Sequence, residues 1–253
     1  MPYTEFPPPP DLADVVHCIW RFDEATPAAL DRIVPDGRCE LIVHGAAPFS
    51  ERAGERWRRQ PRVLFAGQVT RPLHLRANGP ADVIGVRLHY ACARLVFARP
   101  VHEATDRRVG LCAAWGDAPA TIDAAIAFVR RRTGQNADLR DALVEASVDR
   151  IARSPGALPV EALAQGCGLG RRQLERRFAD AAGVGPALLA SILRFRRVFD
   201  EIEHGGARPW TDAAAAAGYS DQSHFIREFR RFVGCTPGEF MRTSEGLATA
   251  LVG

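Results

Sequence analysis

Two short runs bring guanidinium groups and small polar side chains to one side of a helix: Arg172, Glu175 and Arg176 in the first, and Gln222, Ser223, His224 and Arg227 in the second. A guanidinium holds the O6 and N7 acceptors of a guanine edge bidentately, and a carboxylate accepts from the N4 amine of cytosine. Arg172 and Arg176 therefore have the chemistry to read bases, with Glu175 placed beside them to take a cytosine amine. Gln222 sits near a helix start, where amide and backbone donors meet phosphate oxygens. Arg197, Arg230 and Arg231 are assigned to phosphates or solvent. Taken alone, either run is equally a solvated surface helix.

The surrounding pattern decides more. Phe225, Phe229 and Phe232 recur at helical spacing behind the second run, opposite Ser223, Arg227 and Arg230. Ser220 is the expected N-cap with Asp221 in the first turn, and Gly234 and Pro237 stop the helix. The same arrangement occurs 51 residues earlier, where Leu174, Phe178 and Ala181 form the apolar stripe and Arg172 and Arg176 stand where Ser223 and Arg227 stand later. Pro159 and Leu163 match Pro209 and Ala213 at an offset of 50. Each copy reads as short helix, glycine-containing turn and second helix, that is, a helix-turn-helix present twice. Two such helices joined by one long helix, 186–204, suit successive major-groove faces about 34 Å apart. On that connecting helix Leu189, Leu193, Val198 and Ile202 are expected inside and Arg194, Arg196 and Arg197 outside.

Residues 209–242, and less tightly 140–208, resemble the DNA-binding domain of the AraC/XylS family of bacterial transcription regulators. The run from Gly218 to Phe232, continued by Val233-Gly234-Cys235-Thr236-Pro237-Gly238-Glu239-Phe240-Met241-Arg242, follows that family's signature closely. The resemblance implies that Ser223 and Arg227 touch bases, with Gln222 and His224 flanking. Ala213 stands where the family usually has a large aliphatic residue, which predicts a thinner core under the second motif. The resemblance also implies transcription activation, contact with RNA polymerase, a small-molecule effector and pairing of subunits.

The chain has 253 residues and a formal net charge of +3, and all 33 basic residues are arginines. From Arg171 to Arg231 there are 11 arginines against 8 carboxylates, a mild excess that favours specific contacts over a strongly basic coat. The length suits two domains. No basic leader followed by an apolar run opens the sequence, and no stretch of about 18 apolar residues occurs, so a cytoplasmic protein without membrane contact is expected. Cys18, Cys39, Cys92, Cys112, Cys167 and Cys235 show no metal-ligand spacing and read as small apolar residues.

Before the helical half, short strands are predicted near 15–22, 33–34, 39–44, 63–69, 72–76 and 82–90, with a turn at Pro35-Asp36-Gly37 and an irregular hairpin or loop over 46–60. Residues 1–10 read as an extended proline-rich arm. In 82–90, Ile84, Val86 and Leu88 share one face, and Arg87 and His89 the other. The fold class is thus α+β: an N-terminal β-barrel or sandwich over 1–118, cupin-like by resemblance, then an all-α double helix-turn-helix domain over 137–243. A helix over 120–133, broken at Gly134-Gln135-Asn136, joins them within a 119–136 linker and is equally suited to pairing subunits or to packing on its own barrel. Residues 244–253 read as a tail. Glu40, His44, Gln68, Arg87 and His89 are the candidates for an effector pocket. No cofactor and no metal are expected, because the His-x-His pattern of enzymatic cupins is missing. The function expected is sequence-specific binding of double-stranded DNA in transcription regulation. The alternatives are a DNA-linked enzyme (a metal cupin or an alkyl-accepting repair protein) and a ligand-free architectural binder.

Overall fold

The computed structural model describes residues 2–27, 31–154, 159–205 and 209–243; the proposed tail lies outside them. The chain's first half forms two antiparallel sheets. In the first sheet the strands lie in the order β1 (Tyr3–Phe6), β2 (Val16–Glu24), β9 (Ala81–Leu88), β4 (Glu40–His44), β7 (Val63–Ala66) and β10 (Arg108–Gly110). The second orders β3 (Asp31–Ile33), β8 (Leu73–Arg76), β5 (Ser50–Ala53) and β6 (Arg56–Arg59). Of the barrel and the sandwich left open by the sequence, the molecule has two distinct sheets. The proline-rich arm contributes an edge strand rather than a free extension, since β1 pairs with β2 in the register Tyr3↔Phe22 to Phe6↔Ile19. Residues 46–60 close into the β5–β6 hairpin. The turn at Pro35-Asp36-Gly37 does not join a hairpin: β3 pairs with β8, and β4 pairs with β7 and β9. Residues 34–39 therefore form a strap crossing from one sheet to the other.

Strand alternation gives the larger sheet two different faces. Leu41, Val43, Val63, Phe65, Ile84, Val86 and Leu88 face a core completed by α1 (Ala93–Phe97) and α3 (Ile122–Gln135). Their neighbours Ile42, Leu64 and Val83 turn the other way, toward Phe49 and the second sheet. The helix α3 buries Ala125, Phe128 and Val129 in the first of these cores, so it packs on its own domain. It also runs through Gly134 to Gln135, two residues past the expected end, with Asn136 as its C-cap. The Asn136 amide donates to the carbonyls of Leu95 and Arg132, which satisfies the end of the helix and carries it past the glycine.

A short helix α2 (Cys112–Trp115) precedes α3, and α4 (Ala142–Arg153) opens the helical half. Asp141 caps α4, accepting from Val144 N at 3.1 Å, and its carboxylate also takes both donors of Arg177 at 2.7 and 2.8 Å. Then follow α5 (Val160–Gly166), α6 (Arg171–Ala182), α7 (Pro186–Gly205), α8 (Trp210–Ala216), α9 (Gln222–Val233) and α10 (Pro237–Thr243). Both α6 and α9 end on a left-handed glycine, Gly183 at φ 84° and Gly234 at φ 86°. That conformation costs glycine little and any β-substituted residue more, which is why both helices stop there.

Two cores lie beneath the two motifs. The first gathers Val144, Val148, Leu163, Leu174, Phe178 and Leu189; the second Phe195, Phe199, Phe225, Phe229 and Phe232. The second core is not thin. Ala213 is fully buried, and Trp210 stands edge-on to Phe199 (5.5 Å) and Phe229 (5.3 Å), so aromatic rings supply the bulk an aliphatic side chain would have given.

Candidate DNA interface and effector cavity

On α6 the apolar stripe Leu174, Phe178 and Ala181 is buried, and Arg172 and Arg176 are exposed on the far side. Neither makes an ion pair among the described residues. Glu175 is differently placed: it holds Arg171 at 2.9 Å, and Arg171 also bonds Glu161 of α5. Reading a cytosine through Glu175 therefore requires release of a surface ion pair worth little.

On α9 Phe225, Phe229 and Phe232 are buried, while Gln222, Ser223, Arg227, Arg230 and Arg231 are exposed. The N-cap is Asp221 rather than Ser220. Asp221 Oδ1 accepts from His224 N at 2.7 Å, and that bond holds the carboxyl below its ordinary range. Ser220 donates to the same carboxylate at 3.1 Å and so supports the cap from outside. His224 turns back from the outer face, edge-on to the Tyr219 ring at 5.1 Å and 3.9 Å from Glu228.

The connecting helix departs from its expected pattern. Leu189, Ile192, Leu193, Phe195, Val198 and Phe199 are all buried, because α7 is flanked by both motifs. Arg194 is only 8% exposed and donates to both oxygens of Glu228 at 3.1 and 3.2 Å, its guanidinium 4.9 Å from the Tyr219 ring. Arg197, expected outside, is partly buried and donates to the carbonyls of Ile151, Ala152 and Ser154 at the end of α4. A cation there completes a helix C-terminus whose last carbonyls lack partners. Arg196 is half-buried, with Nη1 enclosed.

The β-rich half encloses a cavity of about 350 Å³ between its two sheets. Of the residues proposed for an effector, Glu40, His44 and Arg87 line it. Glu40 and Arg87 stand opposite one another in the β4–β9 register, and Arg87 Nε donates to Glu40 Oε1 at 2.8 Å. The same carboxylate oxygen accepts from Trp20 Nε1 at 3.0 Å. Burial works against the Arg87 charge, but Glu40 and Asp36 more than offset it and hold the guanidinium protonated. Gln68 is buried just behind the lining and donates to the Gly37 carbonyl of the strap. His89 lies away from the cavity, beyond the end of β9, against His17 and the Ala13 carbonyl. Sequence reasoning missed Arg108, Trp20 and Val34 as lining residues; they come from separate strands and the strap, which only the pairing brings together. No cluster of three or more His, Cys, Asp or Glu suited to a metal ion occurs among the described residues. No single helix among them is long and apolar enough to cross a membrane.

The strap binds the two halves together. Val34 lines the cavity and is also part of the second motif's phenylalanine core. A Cβ on Gly37 would lie 3.1 Å from Leu189 and 3.4 Å from Leu193 of α7. Arg38, another lining residue, stacks over Tyr90 at 4.0 Å, and Tyr90 packs against the first motif's core. The β-rich half also touches the cap of each outer helix. Thr105 Oγ1 donates to Gly183 O at 2.6 Å, and Arg32 Nη1 lies 3.3 Å from Cys235 Sγ beside Gly234.

Comparison with known proteins agrees with this layout. Residues 163–243 match a family described as a helix-turn-helix domain, and residues 4–110 match a domain of unknown function, DUF6597. The RCS-specific HTH-type transcriptional activator RclR of Escherichia coli is 30% identical over 104 residues, which are 41% of this chain and 36% of RclR. The match thus spans about a third of that relative's length. ToxT from Vibrio cholerae superimposes with a TM-score of 0.51 at 8% identity, over 97% of this chain and all of ToxT, a likeness of fold. A ToxT structure with unsaturated fatty acid bound aligns at a TM-score of 0.46 and 12% identity, over 92% of this chain and 96% of that one, too loosely to bear on this chain's ligand. The paired helix-turn-helix motifs sharing α7, the signature carried on α9 and the match of residues 163–243 to the helix-turn-helix family meet in one conclusion: the chain's C-terminal part is a helix-turn-helix domain of the AraC type.

Proposed function

We propose that α6 and α9 read duplex DNA base-specifically, and that a small molecule held between the two sheets sets how firmly the two motifs are held for that task. Arg172, Arg176 and Arg227 contact bases, Ser223 and Gln222 contact bases or phosphates at the start of α9, and Glu175 reads a cytosine once Arg171 lets go. His224 is the weakest of the proposed contacts, since its ring is turned toward Tyr219. The observation that carries the regulatory half is the double role of Val34, which is at once a wall of the cavity and a member of the second motif's core. A ligand that prefers one placement of the strap shifts the population of motif arrangements, and DNA shifts ligand affinity by the same factor. Contact with RNA polymerase and pairing of two chains belong to the same reading. Selection of randomised duplexes by the full chain tests it. The expected outcome is enrichment of a site with two base-specific elements about one helical turn apart. Absence of enrichment, or enrichment of a single element, overturns it.

A further inference from the structure

The cavity's polar groups restrict what it takes. Three carboxylates (Glu24, Asp36, Glu40) and three guanidinium groups (Arg38, Arg87, Arg108) line it, a sum of zero. The cations are committed. Arg87 is shared by Glu40 at 2.8 Å, Glu5 at 3.4 Å and Asp36 at 3.8 Å. Arg38 stacks on Tyr90 and donates to Leu88 O at 3.4 Å. Arg108 Nη1 donates to the carbonyls of Gly67 and Arg107, and its Nε, outside hydrogen-bond geometry, lies 3.5 Å from Glu51 Oε2. Arg87 and Arg108 thus already have a carboxylate beside them, while Arg38, with no ion pair among the described residues, is held by a ring face and a backbone carbonyl. Glu24, partly exposed at the end of β2, is the lining carboxylate without an ion-pair partner among the described residues.

The opposite end is different. Glu40, Ile42 and His44 alternate along one face of β4, which puts His44 about 13 Å from the Glu40–Arg87 pair at roughly 3.3 Å per residue. Around His44 the walls are mostly apolar, with Phe22, Ile42, Phe49, Leu64 and Val83 and, among polar groups, Gln60. His44 is 1% exposed, and neither ring nitrogen meets full hydrogen-bond geometry with a described residue, the Gln60 side chain being close enough to act as a weak partner. Burial pulls its pKa down to about 4, with a smaller opposing effect from the neighbouring Gln60 amide, which is itself directed at Glu51 at 3.2 Å. The ring is thus neutral at pH 7, offering one donor and one acceptor inside a mostly apolar chamber. Buried polar atoms nearly always find a partner, and an enclosed imidazole without a well-formed one, in the wall of a cavity, is a place for a ligand's polar group.

Resting on the effector reading above, we infer that the cavity takes an uncharged, predominantly aromatic molecule whose single hydroxyl or carbonyl group pairs with His44. Calorimetric titration of the full chain at pH 7 with four probes of one shape tests this: 4-phenylphenol, biphenyl, biphenyl-4-carboxylate and the 4-phenylbenzylammonium cation. The phenol is expected to bind at least tenfold more tightly than either ion and than biphenyl. His44→Phe should erase its advantage over biphenyl while leaving biphenyl binding intact, and Ala66→Phe, which fills the cavity from β7, should abolish both. Tighter binding of the carboxylate or the cation overturns the assignment, as does binding of none of the probes or a phenol advantage that survives in H44F. Each probe is then added to a titration of the selected duplex. If the phenol binds as described and leaves DNA affinity unchanged, the ligand class stands and the effector reading fails. If a charged probe binds best and shifts DNA affinity, the reading stands and the ligand class fails.

Discussion

Removing Glu228 tests whether the second motif is held by the buried ion pair beneath it. Arg194 reaches both Glu228 oxygens from α7, and the two side chains are 9% and 12% exposed. In Glu228→Ala the guanidinium keeps Ser191 Oγ at 3.4 Å and the face of Tyr219, but no counter-charge among the described residues. Breaking a buried pair from one side costs about 3–5 kcal/mol, most of it the penalty of the charge left behind. At about 1.4 kcal/mol per decade, that is a loss of roughly 10²- to 4 × 10³-fold in the folding equilibrium of the motif. Replacing both partners by apolar residues of similar volume, Arg194→Met with Glu228→Leu, should recover most of the loss, because no charge is then stranded. Urea unfolding followed by circular dichroism measures all three proteins. A loss under about 1 kcal/mol in E228A, or a double variant as unstable as the single one, would refute the reasoning.

Two further outcomes follow from the same contacts. Between the ordinary histidine pKa of 6.5 and about 4, the unfolded chain takes up a proton at residue 44 that the folded chain refuses. Stability should therefore fall as pH drops through that window, by about 2–3 kcal/mol for this group, and the pH dependence of H44F in urea unfolding should be flatter by that amount. A fragment spanning 138–242 retains both motifs and their caps, yet it lacks Val34, Tyr90 and Ala91, which pack into the helical cores. It should remain helical and protect two turns of duplex, with a lower urea midpoint than the full chain; protection of a single groove would show that the motifs do not act as a pair.

The outer helices were legible because α6 and α9 each bury one stripe and expose the other, the arrangement that periodicity detects. The connecting helix misled for the converse reason. It is hemmed in by both motifs, so charge no longer marks an outward face, and Arg194 and Arg197 turn inward to a carboxylate and to helix-end carbonyls. Asp221 and Ser220 are both good caps by residue type, and only backbone geometry chooses between them. In the β-rich half the alternation of Ile84, Val86 and Leu88 against Arg87 located two faces, but strand pairing is non-local. That β3 and β4 belong to different sheets is set by pairings 20 to 47 residues apart, and the place of Val34 between cavity and helical core by contacts over 150 residues distant in the chain. Glu40 and Arg87 were named separately; their cross-strand register makes them a pair.

The claim that α6 and α9 read DNA together is tested most directly by measuring the affinity of three proteins for every single-base-pair variant of the selected duplex. These are the native chain, Arg176→Ala and Arg227→Ala. The native chain should lose about 1–3 kcal/mol for each substituted contact pair. R176A should flatten preference at one position of one element, and R227A at one position of the other, each leaving the distant element's profile unchanged. If both variants weaken binding uniformly across the panel, or if neither alters any base preference, the two helices do not read the site as described.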